Sequence, residues 1–264
     1  MKIPIYQIDA FTDRLFGGNP AAVCPLEKEL DPQVMQHIAA ENNLAETAFF
    51  INKGEDFDIR WFTPKTEIDL CGHATLASAH VLFNHLDYRR DLIIFNSRKS
   101  GALKVSKSGD VLTLDFPSNK PAPFAIPAKL SEALGAQPQA VYKGRDLVAV
   151  FANEAQILAM NPKFNLLNEV LEEVQCLGMI VTALGEKVDF VSRFFAPPVG
   201  INEDPVTGSA HTILIPFWAE RLGKTKMHAY QLSQRKGELF CELVGNRVKM
   251  GGKAVTYLKG EIEI

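Results

Sequence analysis

One design occurs twice in this 264-residue chain, and it restricts the possible folds more than any other feature. Leu70-Cys71-Gly72-His73-Ala74-Thr75 leads into the apolar run Leu76-Ala77-Ser78-Ala79-His80-Val81-Leu82-Phe83. Gly200 to His211 leads in the same way into Thr212-Ile213-Leu214-Ile215-Pro216-Phe217-Trp218-Ala219. Both runs are apolar on nearly every face, which predicts buried helices. The second is expected to stop at Leu222-Gly223, with glycine in the left-handed position past the helix end. Arg60-Trp61-Phe62-Thr63-Pro64 precedes the first loop, and Arg193-Phe194-Phe195-Ala196-Pro197 the second. Gly72 and Gly208 are 136 residues apart and Pro64 and Pro197 are 133 apart, close to half the chain length. The spacing reads as an internal duplication.

A helix this apolar has to be enclosed, and a sheet is the element that can enclose it. The expected fold class is therefore α+β, with two similar halves, each a curved, mainly antiparallel sheet wrapped around a central helix. Pro117-Ser118-Asn119-Lys120-Pro121-Ala122-Pro123 is the best boundary. It gives halves 1–117 and 124–264, with the last strand a candidate to return to the first half. Asp31-Pro32 predicts a capped helix start, and Ala45 to Ile51 reads as a strand with Glu46 near its beginning. Pro216, inside the second helix, is read only as a tolerated kink.

Composition removes several function classes. A net charge of −3 offers no basic face for nucleic acid. No stretch of 18 apolar residues is present, so no membrane span is expected. Cys24, Cys71, Cys176 and Cys241 show no CxxC spacing and are expected to be reduced thiols in a cytoplasmic protein. Neither GxGxxG nor GxxxxGK[ST] occurs, so no nucleotide-phosphate loop is expected. His80 and His211 have no companions at metal-ligand spacing, so no metal is expected, and no cofactor motif is evident.

The remaining chemistry is that of proton transfer and anion binding. Two helix N-termini facing one cleft would hold a carboxylate or similar small anion. Glu46 has no counterpart in the matching strand of the second half, and its apolar neighbours predict a partly desolvated carboxyl, suited to moving a proton. His73 opens a helix, where the dipole is expected to favour a neutral imidazole. At the same helix start a thiol pKa can fall, so Cys71 is a candidate nucleophile or base. Asp204 is placed to orient its loop, pair with an imidazole or serve as a second acid.

These segments together resemble the phenazine biosynthesis-like (PhzF) family, which shares the diaminopimelate epimerase fold. The resemblance rests on Asp9-Ala10-Phe11 with Gly18-Asn19-Pro20-Ala21-Ala22-Val23, and on Asn43-Leu44-Ala45-Glu46-Thr47-Ala48-Phe49. It also rests on Arg60-Trp61-Phe62-Thr63-Pro64, Leu70-Cys71-Gly72-His73-Ala74-Thr75 and Glu203-Asp204-Pro205-Val206-Thr207-Gly208-Ser209-Ala210-His211. It implies a cofactor-independent isomerase acting on a small anionic substrate as a homodimer, with no nucleic-acid or membrane partner. Glu46 is the acid/base it implies, with His73 and Asp204 as catalytic support and Asn19, Gly72, Gly208 and Ser209 binding substrate. The epimerases of this fold carry a catalytic cysteine in each loop; here Thr207 stands where the second would be. A cysteine-assisted epimerase or racemase, and a binding protein without catalysis, stay open beside the isomerase.

Overall fold

The computed structural model describes all residues, Met1–Ile264, and the chain divides into two compact units. The first is Met1–Asp115 together with Gly251–Ile264, and the second is Phe116–Met250.

The first unit contains β1 (Lys2–Ala10), β2 (Asn19–Leu26), α1 (Pro32–Asn42), β3 (Glu46–Asn52), β4 (Phe57–Phe62) and β5 (Glu67–Ile68). It continues with α2 (Gly72–His85), β6 (Leu92–Ser97), β7 (Gly101–Ser108) and β8 (Val111–Pro117), and the chain's final strand β18 (Ala254–Glu263) pairs antiparallel with β1. The sequence division at residue 124 kept the whole C-terminal segment with the second half, apart from the return allowed for the last strand. In the structure the first unit takes in residues from Gly251 onward.

The second unit contains β9 (Ala122–Phe124), α3 (Leu130–Leu134), β10 (Ala140–Lys143), β11 (Leu147–Val150), α4 (Glu154–Ala159) and α5 (Phe164–Glu173). Then follow β12 (Met179–Leu184), β13 (Phe190–Ala196), a 3-10 turn at Pro197–Val199, β14 (Ile201–Asp204), α6 (Gly208–Leu222), β15 (Lys226–Gln231), β16 (Gly237–Val244) and β17 (Arg247–Gly252).

The duplication extends to strand direction. In the first unit β1–β2 is antiparallel, β2–β3 parallel, β3–β4 antiparallel, β4–β6 parallel and β6–β7 antiparallel. The series β10, β11, β12, β13, β15, β16 repeats those directions in the second. Each unit also clamps a short strand with a two-pronged ion pair. Arg60 on β4 donates from Nε and a terminal nitrogen to both oxygens of Glu67 on β5, each at 2.7 Å. Arg193 on β13 does the same to Glu203 on β14, at 2.7 and 2.9 Å. The stretch read from sequence as an irregular polar loop before α6 therefore includes a strand, held by a planar guanidinium–carboxylate fork.

Both central helices are buried over most of their surface, α2 from His73 to Leu82 save His80 and α6 from Ala210 to Ala219 save Thr212. α2 packs on β1, β2, β3 and β18, and α6 on β15 and β16. Outer helices cover the other sheet face. Met35, Ile38 and Ala39 of α1 join Phe49 and Phe62, while Leu167, Val170 and Leu171 of α5 join Met179, Val181 and Phe195. Asp31 accepts from the Gln33 N–H at 2.7 Å, the cap expected from Asp31-Pro32. Gly223 stands at φ 65°, the left-handed stop expected for α6. Pro216 has a concrete accommodation in this fold. Proline cannot donate to the carbonyl four residues earlier, and the Thr212 carbonyl instead accepts from the Asn119 N–H at 3.0 Å.

Candidate active site

Three segments of the first unit bring their side chains to one point. Glu46 is the first residue of β3, Cys71 is the N-cap of α2, and His73 is the second residue of that helix. β3 runs beside α2, so a strand start and a helix start coincide. Nε2 of His73 lies 3.0 Å from Oε2 of Glu46. Sγ of Cys71 is 3.5 Å from Nδ1 and 4.0 Å from Nε2 of the same ring. The Asn19 side-chain amide reaches Nδ1 at 3.2 Å. Glu46, Cys71 and His73 are all buried.

Asn19 is brought there by a sharply folded connection. Phe11, Phe16 and Gly18 all have positive φ, and the Asp9 carboxylate accepts from the Phe16 N–H at 2.9 Å. A Cβ on Gly18 would come within 2.0 Å of the Ala10 carbonyl oxygen, so only glycine fits. β2 then begins at Asn19 itself, with Pro20 inside the strand.

Two electrostatic expectations are corrected here. Burial pulls the His73 pKa down, but its close contacts with Cys71 and Glu46 outweigh it, leaving the value well above 6.5. With the thiol uncharged at neutral pH, the Glu46 carboxylate at 3.0 Å is the charge that favours the imidazolium form of His73. The helix dipole supplies partial charges at the helix end, whereas a full carboxylate at 3.0 Å in a buried setting is the stronger influence. The same dipole can acidify a thiol; for Cys71, burial, followed by the nearby Glu46 charge, raises the pKa instead. Cys71 is a neutral thiol.

Glu46 Oε2 meets His73 as a charge contact, and no donor makes a well-directed hydrogen bond to that oxygen. A buried carboxylate oxygen in this state retains lone pairs able to accept a proton.

The helix start of the second unit is organised differently. Thr207 caps α6 in the position that Cys71 holds on α2, and neither side chain caps its helix. Thr207 Oγ1 donates to the Asp204 carboxylate at 2.6 Å. The Thr207 N–H donates to Gln231 Oε1 at 2.8 Å, and Gln231 Nε2 donates to the Asp204 carbonyl at 2.8 Å. Asp204 thus fastens its own loop. Gly208 is buried and Ser209 half-buried at the first two helical positions, and Gly72 is half-buried at the start of α2. His211 points inward, with Nδ1 donating to the Thr207 carbonyl at 2.8 Å, and burial lowers its pKa to about 4. The sequence reading missed Gln231. Its one signal is a fully buried amide at an inward position of a strand that otherwise alternates.

In the second unit the register places Gly178, just before β12, where the first has Glu46. A Cβ there would lie 2.3 Å from the Phe194 ring and 2.9 Å from Oδ1 of Asp146, so these two side chains occupy the space that a glutamate would need. No helix in the chain is long and apolar enough to cross a membrane.

Residues 8–260 match the family model described as phenazine biosynthesis-like protein. An uncharacterized isomerase of Pseudomonas aeruginosa is 50% identical over 264 residues, covering 100% of both chains. The crystal structure of a PhzF-family protein from Enterococcus faecalis superposes with a TM-score of 0.96 at 47% identity, again covering 100% of both. A Pseudomonas aeruginosa structure, described as a predicted epimerase, has a TM-score of 0.77 at 20% identity, covering 99% of each chain, and shares the fold.

Proposed function

This chain belongs to the phenazine biosynthesis-like family, and on that premise we propose that it is an isomerase in which Glu46 moves a proton within a small, carboxylate-bearing substrate without a cofactor. The observation that carries the reading is the buried Glu46–His73 pair at 3.0 Å. Glu46, held beside His73, is placed to take a proton from a carbon made acidic by a neighbouring carboxylate or unsaturation. As negative charge develops on the substrate, the His73 cation and the uncapped N–H groups at the start of α2, including Gly72, favour it. The protonated Glu46 then returns the proton to another carbon of the same molecule. Asn19 and Cys71 act on the ring of His73 and hold its orientation.

Asp204, Gly208 and Ser209 enter this proposal in the roles that family resemblance implies. Asp204 orders the loop ahead of α6, and Gly208 and Ser209 offer donors at its start. The cysteine-assisted epimerase is the weaker reading. Cys71 holds its proton at neutral pH, and the matching position is Thr207, whose hydroxyl is spent on Asp204.

The test is deuterium wash-in from heavy water followed by NMR, using dihydro-hydroxyanthranilate and a panel of small amino and hydroxy acids. Enzyme-dependent exchange at carbon supports proton-transfer chemistry. Binding of a panel compound with no exchange would shift the assignment to a binding protein.

A further inference from the structure

We propose that Glu46, Cys71 and His73 form a binding site for a thiophilic divalent cation of the zinc class, which silences the enzyme when occupied. The three side chains offer a carboxylate oxygen, a sulfur and an imidazole nitrogen, all within 4.8 Å of one another. Nε2 of His73 lies 3.0 Å from Oε2 of Glu46 and 4.0 Å from Sγ of Cys71, whose sulfur is 3.5 Å from Nδ1 of the same ring. A tetrahedral zinc ion holds sulfur at about 2.3 Å and nitrogen or oxygen at about 2.0–2.2 Å, which sets its ligands roughly 3.3–3.6 Å apart. Separations of up to 4.8 Å close to that spacing by side-chain rotation, by roughly 1.2 Å at the widest pair.

A second observation marks the same point. Oε2 of Glu46 is buried, has no well-aligned hydrogen-bond donor and lies 3.0 Å from Nε2 of His73. A cation would satisfy it. The donor set also selects the metal. Thiolate with imidazole favours zinc, cadmium or cobalt over magnesium or calcium. One thiolate, one carboxylate and a neutral imidazole balance a divalent charge, and three protein ligands leave a fourth position for water. Binding sends the thiol proton and the imidazolium proton to solvent and forms three metal–ligand bonds. The sequence reading expected no metal because it compared histidines with near neighbours; Glu46 comes from a different element and is brought in only by β3 running beside α2.

Binding of the ion does not depend on the proposed function. Its inhibitory effect does, because it occupies the oxygen assigned to proton transfer. The two parts fail separately.

The experiment is titration of the full-length protein with Co2+ alone, read by absorption. The expected result is one equivalent bound, with a thiolate-to-cobalt charge-transfer band in the near ultraviolet that Zn2+ displaces. Cys71→Ser should abolish that band, and Glu46→Gln should weaken Co2+ binding about tenfold or more while leaving the band's position unchanged. A wild-type protein without the band at millimolar Co2+, or a band that persists unchanged in Cys71→Ser, would overturn the proposal. If Cys71→Ser does not fold, unchanged Co2+ affinity in Glu46→Gln overturns it equally.

Discussion

Nε2 of His73 stands 3.0 Å from Oε2 of Glu46, so that the second residue of α2 and the first residue of β3 form one buried charge pair. Glu46 and His73 lie 27 residues apart in sequence, and the meeting is made by a strand start packed beside a helix start. The pair makes a direct statement about protonation. In 15N NMR at pH 7 both ring nitrogens of His73 are expected to carry protons. In Glu46→Gln the raising influence of the carboxylate is lost while burial stays, so the ring should become neutral. A neutral ring in the wild type would contradict the electrostatic description.

His211 has the opposite sign. Burial holds its folded pKa at about 4, below the 6.5 expected unfolded. As pH falls from 6.5 toward 4 the unfolded chain takes up a proton that the folded chain refuses, so stability declines across that window. The loss approaches about 3 kcal/mol at its acid end, taking about 1.4 kcal/mol per pKa unit. His80, also lowered to about 4, adds in the same direction. His73, whose pKa is raised, contributes stability that is complete below 6.5 and is lost as pH rises through its folded value. Urea unfolding at pH 7 and pH 4.5 checks this. His211→Gln should flatten the acid decline relative to wild type.

The two arginine clamps should differ in strength. Arg193 and Glu203 keep only 12% and 22% of their side-chain surface exposed, against 13% and 38% for Arg60 and Glu67. Arg193 also donates to the carbonyls of Ile157 and Met160, at 3.1 and 2.7 Å. Arg193→Ala leaves a largely buried carboxylate and two carbonyls unpaired and is expected to cost about 3–5 kcal/mol. Arg60→Ala is expected to cost about 1 kcal/mol, since Glu67 can be solvated. Equal losses on thermal unfolding would show that burial does not govern these pairs.

Pro216→Ala tests the accommodation of the proline. An alanine N–H at that position competes for the Thr212 carbonyl that Asn119 now uses. Helix α6 should hold or gain slightly in stability, while hydrogen exchange at the Asn119 amide should quicken about tenfold. An unchanged Asn119 amide would mean that its protection does not come from Thr212.

Much of the architecture was legible because its signals are local. A loop glycine followed by an all-round apolar run predicts a buried helix, and Cys71-Gly72 and Thr207-Gly208 do mark the starts of α2 and α6. The strand β14 was not legible, since its four residues carry no alternation and depend on the Arg193–Glu203 clamp. α4 is only six residues long and buries Ile157 alone, too little for a periodic signal. Glu46, Cys71 and His73 were each visible as candidates, but their charge states were not. Those states arise from one another across non-local packing, whereas the helix dipole was the only field that the sequence exposed.

The most direct test of the whole account is the rate of deuterium exchange at carbon in Glu46→Gln beside wild type, on whichever panel compound the wild type exchanges. Glutamine fills the same space and cannot carry the proton, so the account predicts exchange at least about 100-fold slower with binding retained, a loss in the range ascribed to a general acid/base. Exchange at the wild-type rate in Glu46→Gln would contradict the assignment of Glu46 as the proton carrier.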